Sequence, residues 1–249
     1  MNMKKTIIAS AIAVGTLVAT SNAQAQAQGF YAYGEAAYND IGSSKAESYL
    51  RQEDQDGRED TEAFNQTLAG AGLTADLEYN SSFSNDDSEA TFGVGGGYQF
   101  NKNFSLELAY RDLGEASYQN SFEVTGTEAS GTGERKVSYE SDAFILRGVG
   151  LLPVTERLSL EALLGVAYVD TDYSESEVVN GEGRLNSTDT RDSESDSDFT
   201  AAYGVGASFA FNDTLTGYAR WERIHDIDTE DKWGGIEADT ISAGFRYHF

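Results

Sequence analysis

The chain has no cysteine and only one proline, Pro153, in 249 residues. Without cysteine there is no disulfide framework, no Cys-ligated metal centre and no lipid-modified N-terminal Cys. One proline set against 26 glycines argues against a Pro-rich disordered chain and for strands with close backbone approaches. Basic residues are scarce, 17 against 42 acids for a net charge of −25, and no nucleic-acid partner is expected. Long apolar runs are also missing. Beyond the N-terminus nothing approaches 20 consecutive apolar residues, which excludes a helical membrane protein. A β-barrel remains open, because its strands need only about 9–11 residues each.

The one apolar stretch is Thr6 to Ala19, preceded by Lys4 and Lys5 and followed by Ala23-Gln24-Ala25. This is the charge, apolar core and small-x-small order of a secretory signal, too short to span a bilayer comfortably. Residues 1–25 are therefore expected to be a cleaved leader and 26–249 the mature domain, exported from the cytoplasm.

Period-2 stretches of about ten residues recur eight times, near 29–39, 90–100, 104–116, 139–152, 157–171, 198–211, 214–226 and 238–249. An even number of antiparallel strands can close on itself. Short turns follow the second, fourth and sixth stretches: Asn101-Lys102-Asn103, Pro153 to Glu156, and Asn212-Asp213. Long polar segments follow the first, third, fifth and seventh. Short turns at one end and long loops at the other is the layout of an outer-membrane barrel.

The two faces of these strands decide which side is inside. One face carries Phe92, Val94, Tyr98, Phe100, Phe104, Leu106, Leu108, Tyr110, Phe144, Leu146, Leu152, Leu160, Leu164, Val166, Tyr168, Phe199, Val205, Phe209, Phe211 and Ile241. Its aromatics gather near the strand ends, as in the girdles at two membrane interfaces. The other face carries Glu35, Glu107, Arg111, Arg147, Glu161, Arg220, Glu222 and Arg246, four acids and four bases, among many Gly and Ala. A soluble two-sheet sandwich would bury the apolar face and wet the charged one. A narrow eight-stranded barrel does the reverse: its interior just fits side chains, and paired charges satisfy one another there. The expectation is an all-β, eight-stranded antiparallel up-and-down transmembrane barrel with a salt-bridge-plugged lumen. Charge distribution agrees. Residues 41–90, 114–142, 170–198 and 225–239 together carry a net −26, leaving the wall nearly neutral.

The stretches FGVGGGYQFNKNFSLELAYRDLGEASY (92–118) and AGFRYHF (243–249) resemble the OmpA-like outer-membrane β-barrel family, often labelled a porin family. AFNQTLAGAGLTADLEY (63–79) resembles the helical first loop of that family. The resemblance implies residence in the bacterial outer membrane among outer-membrane lipid and lipopolysaccharide. It also implies that Phe245, Tyr247 and Phe249 form the C-terminal signal read by the barrel-assembly machinery. The periplasmic peptidoglycan-binding domain of full-length family members is not expected here, so its anchoring role is not carried over.

Other motifs have plainer readings. Gly70-Ala71-Gly72-Leu73-Thr74-Ala75 fits a dinucleotide-type G-x-G-x-x-A, but it follows a helical pattern and its glycines are expected to end that helix. Asp192, Glu194, Asp196 and Asp198, with Asp170, Asp172, Glu175 and Glu177 nearby, are oxygen-only candidates for a divalent cation; a solvated acidic loop is the expected reading. His225 stands near the rim beside Asp226 and Asp228, where some barrels carry lipid-modifying or protease chemistry, yet no matching serine pattern flanks it. No cofactor is expected, and the chain is expected to be monomeric. A structural barrel displaying acidic loops is the leading function. A narrow ion channel is the alternative, and a rim enzyme a third reading.

Overall fold

The computed structural model describes residues 28–227 and 236–249; the expected leader and its cleavage point lie outside the described residues. The elements are β1 (Gly29–Ser43), α1 (Ser44–Gly70), β2 (Glu78–Asp86), β3 (Ser88–Asn101), β4 (Phe104–Thr125), β5 (Ala129–Pro153), β6 (Leu158–Gly183), β7 (Thr188–Ala210), β8 (Leu215–Ile227) and β9 (Ile236–His248). Eight strands close into an antiparallel ring in the order β1-β3-β4-β5-β6-β7-β8-β9, with β9 returning to β1 through Tyr31↔His248 to Ser43↔Ile236. β2 lies outside the ring order. It pairs with the upper part of β4, Glu78↔Thr125 to Asp86↔Ser117, above the region where β3 pairs with that strand.

Alternation sets the wall. On β5, Ala143, Ile145, Arg147 and Val149 are buried inside, while Phe144, Leu146 and Leu152 are exposed outside. Aromatic side chains on successive strands fall in register as Tyr110↔Phe144↔Tyr168↔Phe199, one rim of the apolar belt. Phe100, Phe104, Phe209, Phe211, Phe245, Tyr247 and Phe249 mark the other. From Phe199 to Phe211 a strand rising ~3.3 Å per residue at a tilt near 40° climbs roughly 30 Å, enough for a bilayer core. Among the described residues no helix is long and apolar enough to cross a membrane.

Two of the segments expected as long loops are instead strand. β4 and β5 stay paired far above the aromatic rim, to Val124↔Gly131, and β6 and β7 to Val179↔Thr188. Residues 126–128 and 184–187 are all that connect them. The outward row Ser117↔Ser138↔Ser174↔Ser193 shows why sequence periodicity missed this: neighbouring strands supply the backbone partners, while the side chains carry no apolar signal. The first long segment holds α1 and β2. The result is a tall curved sheet, β2-β4-β5-β6-β7, standing on one side of the barrel mouth.

One bulge joins the two storeys. The β4–β5 register shifts between Asp112 and Gly114, where Gly114 has φ +92 and donates its N–H to Asp112 Oδ1 at 2.9 Å. The extra residue reverses side-chain parity. Below it Glu107 and Arg111 point inward; above it Ala116, Tyr118 and Asn120 do. A side chain at 114 would be strained by that φ, and its Cβ would meet the Glu89 carboxylate at 2.6 Å.

Candidate functional site: the plugged lumen and its helical cover

All eight charged residues anticipated for the inner face are buried, and they link into one chain of alternating sign. Glu35 on β1 accepts from Arg111 Nη2 at 2.7 Å, and Arg111 Nη1 reaches Glu222 at 2.9 Å. Glu222 also pairs with Arg147 Nη1. Arg147 Nε continues to Glu107 at 2.9 Å. Glu107 receives both Nη groups of Arg220, at 2.8 and 2.9 Å, and Arg246 at 3.4 Å. Glu161 closes the set between Arg220 Nε at 2.8 Å and Arg246 Nη1 at 2.7 Å. Glu107, Glu161 and Glu222 each face two or more guanidiniums, and Glu35 faces Arg111 together with the hydroxyls of Tyr218 and Ser242, the condition under which a buried charge is tolerable.

Three tyrosines complete the layer, and sequence reasoning passed over them. Tyr31 donates to Glu107 at 2.7 Å, Tyr218 donates to Glu35 at 2.9 Å, and Tyr33 accepts from Arg147 Nη2 at 3.0 Å. Their parity with Glu35 and Arg220 was the available signal. Strand-end aromatics, however, are most readily read as girdle. Glycines on β3 and β7 make the space: a Cβ at Gly97 would sit 2.5 Å from the Tyr31 ring, and one at Gly206 would sit 2.8 Å from Arg220 Cγ. His248 also belongs to this end, its ring 5.1 Å from that of Tyr31.

Above this layer α1 lies against the concave face of the tall sheet. Ser43 caps it, accepting from Ala46 N–H at 3.3 Å. Ala46 and Leu50 are buried in one cluster with Tyr118, Val137, Tyr139 and Tyr173. Three polar latches flank that contact. Tyr49 donates to Glu175 at 2.6 Å. Arg135 bridges Glu177 at 2.8 Å and the Glu53 carbonyl at 3.2 Å, stacked over Phe122. Asp54 accepts from Tyr79 at 3.0 Å and Arg58 at 3.2 Å. Burial opposes the Asp54 charge, but hydrogen bonds from Ser81, Tyr79 and Arg58 outweigh it and hold its carboxyl below the usual range. Burial, then the neighbouring Asp54, pushes Tyr79 up to about 12. The helix ends at Gly70, with Gly72 at φ +72, and Phe64 and Leu68 pack against Leu77 and Phe122. The G-x-G-x-x-A match is therefore a helix terminus.

The remaining candidates fall elsewhere. Asp192, Glu194, Asp196 and Asp198 sit at alternate positions along one face of β7. The carboxylates of Asp192, Asp196 and Asp198 accept from the next residue's N–H at 2.9, 2.7 and 2.6 Å. Among the described residues no three acidic or histidine side chains are grouped to hold a metal ion. His225 is exposed on β8, its carbonyl accepting from Thr200 at 2.8 Å. Phe245 and Tyr247 face outward on β9, and Phe249, just past its end, is exposed.

A closed eight-stranded ring, an aromatic-edged apolar belt facing out and a charged, side-chain-filled interior define a transmembrane β-barrel. The chain belongs to the OmpA-like transmembrane domain family, whose model matches residues 58–249, and is thus an outer-membrane β-barrel protein. No curated protein is detectably similar in sequence. Similar solved structures include Ail, the attachment invasion locus protein of Yersinia pestis (16% identity, 90% of this chain and 100% of that one, TM-score 0.41). Neisserial surface protein A (14%, 88% and 97%, 0.40) and OprG of Pseudomonas aeruginosa (13%, 90% and 97%, 0.42) are others.

Proposed function

We propose that the protein is a structural outer-membrane barrel that spans the bilayer with a plugged lumen and displays an acidic extracellular sheet for envelope integrity or surface contact. The observation that carries this reading is the unbroken Glu35-to-Arg246 chain of ion pairs, in which each charge is already occupied by a partner. An ion entering the lumen would have to break contacts worth several kcal/mol. α1 adds a second cover above. Its surroundings would be outer-membrane lipid and lipopolysaccharide, with assembly directed through Phe245, Tyr247 and Phe249. We read the barrel as monomeric and assign it no catalytic step.

The test is single-channel conductance of the refolded protein in a planar bilayer, using material that shows the heat-dependent gel shift of a closed barrel. The expected result is silence across voltage. Reproducible unitary steps that change with substitution of Arg147 or Glu107 would overturn the plug and make the protein a channel.

A further inference from the structure

The apolar belt is not smooth where β7, β8, β9 and β1 form the wall. Ala36↔Ala243↔Ala219↔Ala207 lie in register there on the outward face. The row above them, Tyr38↔Ile241↔Trp221↔Val205, is large, and every member stands exposed. The row below alternates ring and glycine, Gly34↔Phe245↔Gly217↔Phe209. Phe211 thickens that lower row. Its ring centroid lies 5.4 Å from Phe209 and 6.2 Å from Phe245, and the ring folds over Gly217, where a Cβ would meet it at 2.8 Å. At Gly34 the wall is open instead: the first atom a Cβ would meet is the Gly93 carbonyl oxygen, 3.9 Å away. The product is a trench with a cavity volume of about 560 Å³, walled by Phe209, Phe211, Phe245 and Leu158 and floored by alanine and ladder-paired backbone.

The width of this trench selects what can fill it. Residues on one face of a strand recur every ~6.6 Å, so the large row above and the ring row below stand roughly 13 Å apart at the backbone. Side chains flanking from both sides leave a slot roughly 5–6 Å wide, since carbon atoms approach one another only to about 3.5–4.0 Å. An α-helix with its side chains is about 10–12 Å across and cannot enter. The wall of a second barrel is kept out as well, because face-packed sheets stand about 10 Å apart. A single hydrocarbon chain fits. The slot is long enough for one: four strands at about 4.8 Å spacing put roughly 14 Å between the β1 and β7 ends of the alanine row.

What covers the trench follows from where it lies. It is a depression in the bilayer-facing belt, at the rim marked by Phe209, Phe211 and Phe245 and away from the acidic sheet. We propose that it seats one acyl chain of a glycerophospholipid from the periplasmic leaflet, held as a bound lipid while the chains around it exchange. A chain on the smooth belt touches protein on one side. A chain lying along the alanines touches it on its underside and both flanks, and so gains more dispersion contact. Across the barrel the protein closes a comparable gap itself: Gly148 on β5 lies under the Phe104 ring, which a Cβ would meet at 3.2 Å. The inference is independent of the plugged-lumen reading, because a silent barrel and a conducting one present the same outer wall.

The experiment is native mass spectrometry of the refolded full chain, released into mild detergent from vesicles of phosphatidylethanolamine and phosphatidylglycerol. One phospholipid adduct should outlast the others as lipid is stripped away. Ala219→Phe fills the floor and should lower the occupancy of that adduct roughly tenfold. Ala243→Phe, on the neighbouring strand, should do the same, and it replaces Ala219→Phe if that variant loses the heat-dependent gel shift. Ala162→Phe adds the same ring to an outward alanine that does not line the trench, and should leave the adduct in place. Equal retention in the floor variants and wild type, or equal loss in Ala162→Phe, would show lipid held without a seat and overturn the inference. Repeating the experiment with lipopolysaccharide in the vesicles tests the source: an adduct of lipopolysaccharide mass in place of the phospholipid would overturn the assignment to the periplasmic leaflet. Cross-linked wild-type dimers that vanish in Ala219→Phe would show a second copy covering the trench, and would overturn the lipid seat as well.

Discussion

Replacing Arg147 with leucine tests the lumen most directly. The Arg147 side chain is 1% exposed and touches Glu222, Glu107 and the Tyr33 hydroxyl. Leucine removes the charge and all three contacts. Breaking a buried pair by deleting one partner costs about 3–5 kcal/mol. Neither carboxylate is wholly abandoned: Glu222 keeps Arg111, and Glu107 keeps Arg220 and Arg246. The expected loss is therefore at the lower end, about 3 kcal/mol. The interior also becomes unbalanced by one negative charge. Neutralising that excess with Glu222→Gln in the same chain should recover part of the loss, because the two residues share a contact and their effects cannot be additive. The assay is urea unfolding of the refolded barrel in lipid vesicles, followed by tryptophan fluorescence, for wild type, both single variants and the double variant. A change below about 0.5 kcal/mol for Arg147→Leu, with strictly additive behaviour in the cycle, would refute a buried and coupled Arg147.

Other consequences follow from the same geometry. Gly97→Val places atoms where the Tyr31 ring and the Leu106 carbonyl already lie, so it should destabilise the barrel by roughly 1–3 kcal/mol or prevent folding, read from the gel shift. Leu164→Arg, at an outward position 71% exposed to lipid, should cost about 2–4 kcal/mol, whereas Ser195→Arg on the extracellular sheet should change stability by less than about 0.5 kcal/mol. The α1 latch should depend on pH at both ends. Asp54 has a depressed pKa, so its contribution is present above the ordinary carboxylate range and is lost as pH falls through its folded value. Tyr79 is raised, so its contribution holds below its ordinary value of 10.0 and is lost as pH rises through about 12. The helical circular dichroism signal should fall at both extremes, and Asp54→Asn should remove the acid limb; an unchanged acid limb in that variant would assign it elsewhere.

Much of the wall was legible because its signal is local. Alternation at positions such as Phe104 to Arg111 states which residues share a face. The pairing of four acids with four bases among glycines states that the polar face is the enclosed one. Gly70 and Gly72 likewise ended a helix as their position in the pattern suggested. Partner choice was not legible. Nothing near Glu107 in sequence says that it will hold three arginines from β5, β8 and β9, because those neighbours come from ring closure.

The sequence alone determined the class: period-2 apolarity, aromatic ends, a balanced inner charge set and no long apolar run allow a strand-built membrane protein and little else. Tertiary structure decided the rest. It extended β4 to β7 far beyond the belt and laid α1 across the concave sheet. The physical reason is the same in each case. A polar segment has no preferred face of its own, so its conformation is set by the backbone partners and packing surfaces that the closed ring brings beside it.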